Sequence, residues 1–189
     1  MRVTREKPEI LRFIYRQEQD DPHYGSCLWA IFDLDPGRGL FNVQSDCGNY
    51  AYRWPERGNM FLKLFLNMTE SYLLGKLCGK PEEFDEKGTI ESIDEYLSEM
   101  EISEQKKKRA LESLKSTWGD YSLDDAPELA QFLVDEWNND NNLEIDCAWE
   151  LVNTVYSAHQ KRTVQIFREH IVPQIRQALE DGFYRGSVD

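Results

Sequence analysis

The hydrophobic period of this chain changes at Pro55, and that change constrains the fold more than any other feature. Before it, apolar residues alternate with polar ones as on a half-buried strand; after it, they recur every three or four residues, as on one face of a helix. Residues 10–15 form a β-branched and aromatic run, residues 27–34 (CLWAIFDL) a second, and residues 40–45 (LFNVQS) a third that alternates cleanly. Between the second and third, Asp35, Pro36, Gly37, Arg38 and Gly39 include the glycines that a hairpin turn needs for positive φ. Residues 50–54 alternate aromatic residues with small or charged ones and predict a fourth strand, with Gly48 serving a turn or bulge before it. An antiparallel meander of three to four strands is the expected assembly.

Beyond Pro55 and Gly58, residues 60–78 predict one helix whose apolar residues, among them Phe61, Leu62, Phe65, Leu73 and Leu74, cover most of its circumference, as suits a helix in the middle of a fold. Gly79 and Pro81 end it. Thr89 is the expected N-cap of a helix burying Ile90, Ile93, Leu97 and Met100, and Ser103 that of a helix running to about Trp118. Leu129, Phe132, Leu133 and Trp137 mark a third helix at core spacing; Ile145, Trp149, Val152 and Tyr156 mark a fourth, and Val164, Phe167, Ile171 and Ile175 a fifth. The predicted class is therefore α+β. Residues 1–81 hold an N-terminal antiparallel β-meander packed on a central apolar helix. Residues 82–189 form an acidic helical layer or subdomain, expected to pack on the first as one compact unit.

A hydrophobic content of 40% and aromatic residues spread along the whole length supply a core and speak against disorder. The first residues lack the apolar stretch of a signal peptide, and no run approaches the ~20 apolar residues of a membrane span. A cytoplasmic protein is expected. Cys27, Cys47, Cys78 and Cys147 include no CxxC pair and no zinc-site spacing, so they read as reduced, mostly buried thiols.

Charge is segregated. Residues 116–160 carry ten carboxylates (Asp120, Asp124, Asp125, Glu128, Asp135, Glu136, Asp140, Glu144, Asp146 and Glu150) and no Lys or Arg, and residues 82–101 carry nine acids against Lys87 alone. The two blocks sum to −18, while everything else sums to +5. A one-sign field steers oppositely charged partners and repels nucleic acid. In the helix expected from Thr89, Glu91, Glu95 and Glu99 recur at every fourth residue, beside Asp94. Stacking like charges this way opposes helix formation by about 0.2–0.5 kcal/mol per pair. Carboxylates so spaced rise about 6 Å per step, comparable to successive phosphates in a nucleic-acid strand. The expected partner is a basic protein surface, contacted by Glu91, Asp94, Glu95, Glu99, Asp120, Asp124, Asp125, Glu128, Asp135, Glu136 and Asp140; acidity that serves solubility alone is the alternative. The one basic run, Lys106 to Arg109, reads as counter-charge to the neighbouring acidic helix, and direct binding of nucleic acid is not expected.

Chemistry has one candidate centre. Cys47, beside Gly48 at a strand end, would be a thiolate nucleophile if His23, His159 or His170 reached it; Asp46, Cys47, Asn49 and Tyr50 would then line a ligand or active-site pocket. The structural alternative is a buried Cys next to a bulge, with Asp46 and Asn49 bonding the turn backbone. The acid clusters match no calcium loop and include no His, so neither metal nor cofactor is expected. No phosphate-binding glycine loop, Walker motif or nucleophile elbow occurs.

Trp29 to Asp35, the turn Ser45-Asp46-Cys47-Gly48-Asn49-Tyr50, the stretch Phe61-Leu62-Lys63 and the stretch Tyr72-Leu73-Leu74-Gly75-Lys76 resemble a family of small bacteriophage and prophage proteins. The resemblance covers about a quarter of the chain well and the rest loosely. It implies phage origin, a short β-meander, the serine-to-tyrosine turn and the apolar helix behind it, and brings no settled activity. By analogy with other small acidic phage proteins, phage origin joined to the charge pattern favours an inhibitor of a host defence complex, specifically an anti-CRISPR protein whose acidic helices occupy the cationic nucleic-acid channel or the PAM-reading surface of a Cas effector. Two other readings stand beside it: the Cys47 pocket, and a phage regulatory or structural adaptor that dimerises through Trp118, Trp137 and Trp149. The spacing of those tryptophans predicts that most are buried, and the sequence leaves the oligomeric state open.

Overall fold

The computed structural model describes residues 9–119, 121–124 and 126–182. They fall into two units: residues 9–80 with 158–182 (the sheet unit), and residues 81–157 (the acidic unit).

In the sheet unit, β1 (Leu11–Arg16), β2 (Trp29–Asp35), β3 (Leu40–Ser45) and β4 (Gly48–Arg53) form an antiparallel meander in sequence order. The α+β class with an N-terminal four-stranded sheet is thus as the hydrophobic periods predicted. Register keeps the alternation in phase: Phe13, Phe32, Val43 and Tyr50 lie across from one another, as do Leu11, Leu34, Phe41 and Tyr52. This sets the large residues of the central strands, Phe32, Leu34, Phe41 and Val43, on the buried face. The other face carries Arg12, Ile14, Gln44, Asn49 and Ala51, with Arg12 forked onto Asp33 by two bonds of 2.7 Å. The β2–β3 turn is closed by Asp35, whose carboxylate accepts from the Arg38 N–H at 3.1 Å and from its guanidinium at 2.7 Å.

Two helices cover the buried face where the sequence predicted one. α1 (Gly58–Asn67) and α2 (Glu70–Leu77) are separated at Met68, which is extended, because the Thr69 hydroxyl accepts from the Tyr72 N–H and starts a new helix. The Met68 carbonyl left free at the break receives the Arg168 guanidinium at 2.7 Å. The last helical stretch, α6 (Ala158–Ile166), a π-helical segment (Phe167–Ile171) and α7 (Val172–Glu180), runs continuously and belongs to the sheet unit. Sequence position alone groups it with the acidic helices; Phe167 draws it to the sheet, with its ring 4.7 Å from Phe41, 5.3 Å from Phe65 and 5.6 Å from Phe32.

In the acidic unit, α3 (Glu86–Glu99), α4 (Glu104–Trp118) and α5 (Pro127–Asp140) pack around Ile93, Leu97, Leu114, Val134 and Trp137. The short pair β5 (Glu83–Phe84) and β6 (Thr154–Val155) closes the unit's ends against each other. α3 begins before Thr89: Asp85 is the N-cap, accepting from the Gly88 N–H at 3.0 Å, while the fully buried Thr89 hydroxyl accepts from the Asn153 N–H. Ser103 caps α4 as predicted. The fourth predicted helix does not form. Its place is taken by a 3-10 turn (Ala148–Leu151) and β6, because Glu144 and Cys147 adopt left-handed backbone angles and the buried Asn138 side chain pairs with the N–H and carbonyl of Ile145.

Candidate functional site

The acidic unit carries the charge of the protein. Residues 81–157 hold 21 Asp and Glu against six Lys and Arg, a net −15, so the remaining residues together amount to +2 of the chain's −13. On α3, Glu91, Glu95 and Glu99 are all exposed. Glu95 and Glu99 have no ion-pair partner among the described residues, and Glu91 meets only the exposed Lys87, at 3.6 Å. On α5, Glu128, Glu136 and Asp140 are exposed and share a stripe with Phe132, each four residues from the next. Phe132 sits at core spacing and the sequence predicted it buried, but the core takes Leu133 and Val134 and leaves Phe132 57% exposed between Glu128 and Glu136.

Other acids are engaged within the fold. Asp94 is paired with Lys107 of α4 at 2.9 Å, the counter-charge role expected of the basic run, while Lys106 donates to the Asn142 carbonyl. Asp135 accepts from the Trp149 N–H at 3.1 Å, whereas Asp124 is exposed and contributes only its backbone carbonyl, which receives the Phe84 N–H. Asp120 and Asp125 lie outside the described residues. Of the three tryptophans at core spacing, Trp118 and Trp137 are buried, and the Trp137 indole donates to the Ala110 carbonyl at 2.8 Å; Trp149 is exposed.

A different constellation occupies the sheet unit. Asp46 and Cys47 form the two-residue β3–β4 turn, and because β3 runs antiparallel to β2, that turn lies beside Cys27 at the entry to β2. The Asp46 carboxylate accepts from the Leu28 N–H at 2.9 Å, the Trp29 N–H at 3.3 Å and the Cys27 thiol at 3.3 Å. Burial pushes its pKa up, but these hydrogen bonds outweigh burial and hold it below the ordinary carboxylate value. The Cys47 thiol donates to the Ser26 carbonyl at 3.0 Å, and the Tyr50 hydroxyl to the Cys47 carbonyl at 2.8 Å. Burial raises both thiols above the ordinary cysteine value and the Tyr50 hydroxyl to about 12. Asn49 projects from the opposite face of β4, away from Tyr50. His23, His159 and His170 are exposed, and none of them is a hydrogen-bond partner of Cys47. The thiol-bearing partner that sequence reasoning missed is Cys27: twenty residues separate it from Cys47, and only strand pairing joins them. The same unit has a cleft of about 760 Å³ along β1, where Tyr15 lies 5.3 Å from His170 and donates to Asp21 at 3.2 Å.

Together these features define an α+β protein with a neutral sheet unit and a strongly acidic helical unit. The chain matches the model of a phage family over residues 1–181, and it belongs to that family. Neither a curated protein nor a solved structure matches it. No helix among the described residues is long and apolar enough to cross a membrane.

Proposed function

We propose that this phage protein is an acidic inhibitor that occupies a cationic nucleic-acid-binding surface of a host defence complex, and that it acts as an anti-CRISPR protein on a Cas effector. The observation that carries the reading is the pair of exposed acidic stripes, Glu91-Glu95-Glu99 on α3 and Glu128-Glu136-Asp140 on α5, in a unit of net −15. Folding gives no reason to stack carboxylates of which, on α3, Glu91 alone has a counter-charge, whereas a surface of Lys and Arg built to hold a phosphate backbone gives one. Phe132, exposed in the middle of the α5 stripe, supplies the apolar anchor that turns electrostatic attraction into a specific contact.

The mechanism is steric and electrostatic. Carboxylates engage the cations that otherwise bind guide or target backbone, so the inhibitor and the nucleic acid exclude each other. The test is binding to purified Cas effectors at about 0.1 M and about 1 M salt, ionic strengths at which long-range attraction is respectively strong and largely screened. Binding that is lost at high salt, displaced by guide RNA or target DNA, and reduced more than about tenfold in the triple variant Glu91→Lys, Glu95→Lys, Glu99→Lys is expected, since each reversed contact is worth on the order of 1 kcal/mol at an exposed interface. Binding that persists in that variant and ignores competing nucleic acid would remove the α3 stripe from the mechanism.

A further inference from the structure

We propose that Cys27, Asp46 and Cys47 form a zinc-binding site, an inference independent of the inhibitor reading. The two sulfur atoms and a carboxylate oxygen of Asp46 lie within 4.8 Å of one another, and Cys27 Sγ is 3.3 Å from Asp46 Oδ1. At zinc–sulfur distances of about 2.3 Å and zinc–oxygen distances of about 2.0–2.2 Å, tetrahedral ligand atoms stand about 3.5–3.8 Å apart. The cluster therefore closes on an ion with side-chain movements of about 1 Å or less. Two thiolates and one carboxylate select zinc over magnesium or calcium, which take oxygen ligands.

The surroundings support the assignment. The Leu28 and Trp29 N–H groups hold the Asp46 carboxylate in place, as outer-shell donors do for metal-ligating carboxylates. Ser26, adjoining Cys27, has a buried hydroxyl with no hydrogen-bond partner among the described residues, and its carbonyl already receives the Cys47 thiol. Asp46 is exposed whereas Cys27 and Cys47 are buried, so the fourth coordination position opens to solvent on the Asp46 side. Binding releases the two thiol protons to solvent and changes no oxidation state. The ion would fasten the β3–β4 turn to the entry of β2.

The experiment is a cobalt titration of the full chain, reduced and freed of metal by a chelator, followed by zinc competition. One equivalent of Co²⁺ should give a thiolate-to-cobalt charge-transfer band that Zn²⁺ abolishes. Cys78→Ser and Cys147→Ser should keep the band, and Cys27→Ser and Cys47→Ser should lose it. Asp46→Asn, which leaves both sulfurs in place, should weaken zinc by more than about 100-fold, beyond what loss of an outer-shell partner alone produces. If either cysteine variant fails to fold, the wild-type stoichiometry and Asp46→Asn decide. A folded wild-type chain without the band, a band lost in Cys147→Ser, or zinc affinity unchanged in Asp46→Asn overturns the site.

Discussion

At the scale of the residue, burial sorts four cysteines that composition leaves alike. Cys147 is exposed, Cys78 is half-buried with its thiol pushed up to about 11, and Cys27 and Cys47 are buried and hydrogen-bonded. Because the thiolate is the reactive form, a pKa of about 11 leaves about 100-fold less of it than an ordinary cysteine has. Alkylation of the metal-free native protein followed by peptide mass spectrometry should therefore label Cys147 first, Cys78 slowly, and Cys27 and Cys47 only on unfolding. Early labelling of Cys47 would instead support the nucleophile reading. Gly39 is the clearest backbone requirement: its φ is +65°, and a Cβ there would fall against the carbonyl oxygens of Trp54 and Glu56, which are backbone atoms and cannot swing away. Gly39→Ala should destabilise the fold by about 2 kcal/mol or more, read as a lower urea midpoint, because left-handed strain and the clash add.

At the scale of the element, capping decides where helices start and hydrophobic period only where they can run. Thr89 looked like a cap because it precedes an apolar run, yet Asp85 holds that position and the Thr89 hydroxyl serves Asn153. Asp85→Ala should cost about 1 kcal/mol of stability, with Asp85→Asn retaining most of it, since either oxygen accepts from the Gly88 N–H. Equal losses in both variants, measured by urea unfolding, would show that the charge at the helix start matters more than the hydrogen bond. The break between α1 and α2 follows the same logic: the period continues through Met68, but the Thr69 cap and the Arg168 bond to the Met68 carbonyl make two helices more favourable than one.

At the scale of the whole molecule, the division of charge between the units is a stability burden in one of them. Glu95 faces Glu91 and Glu99 at helical spacing, so Glu95→Lys replaces two repulsions with two attractions and should stabilise the protein by about 1 kcal/mol at low salt, with the gain fading as salt is added. The same change should weaken binding to the basic partner. A variant that folds better and binds worse would identify the stripe as a functional feature, whereas a gain in stability with binding unchanged would leave it to solubility.

The sequence by itself determined the features that repeat locally. Alternation over residues 40–45 and the turn before Gly39 specify the meander and its register, because slipping one residue would turn Phe41 and Val43 to solvent. The segregation of acids into residues 82–101 and 116–160, and with it the sign of the expected partner, is read from the sequence alone, whereas the boundaries of the acidic unit are not. Tertiary structure decided what depends on contacts between distant segments. The meeting of Cys27 with Asp46 and Cys47 follows from the pairing of β2 with β3, the return of α6 and α7 to the sheet unit from Phe167 packing on Phe32 and Phe41, and the exposure of Phe132 from the rotation of α5 about its buried Val134 and Trp137. None of these has a local period to read, since a residue's spacing along the chain fixes which neighbours share its face but not which face the rest of the chain will cover.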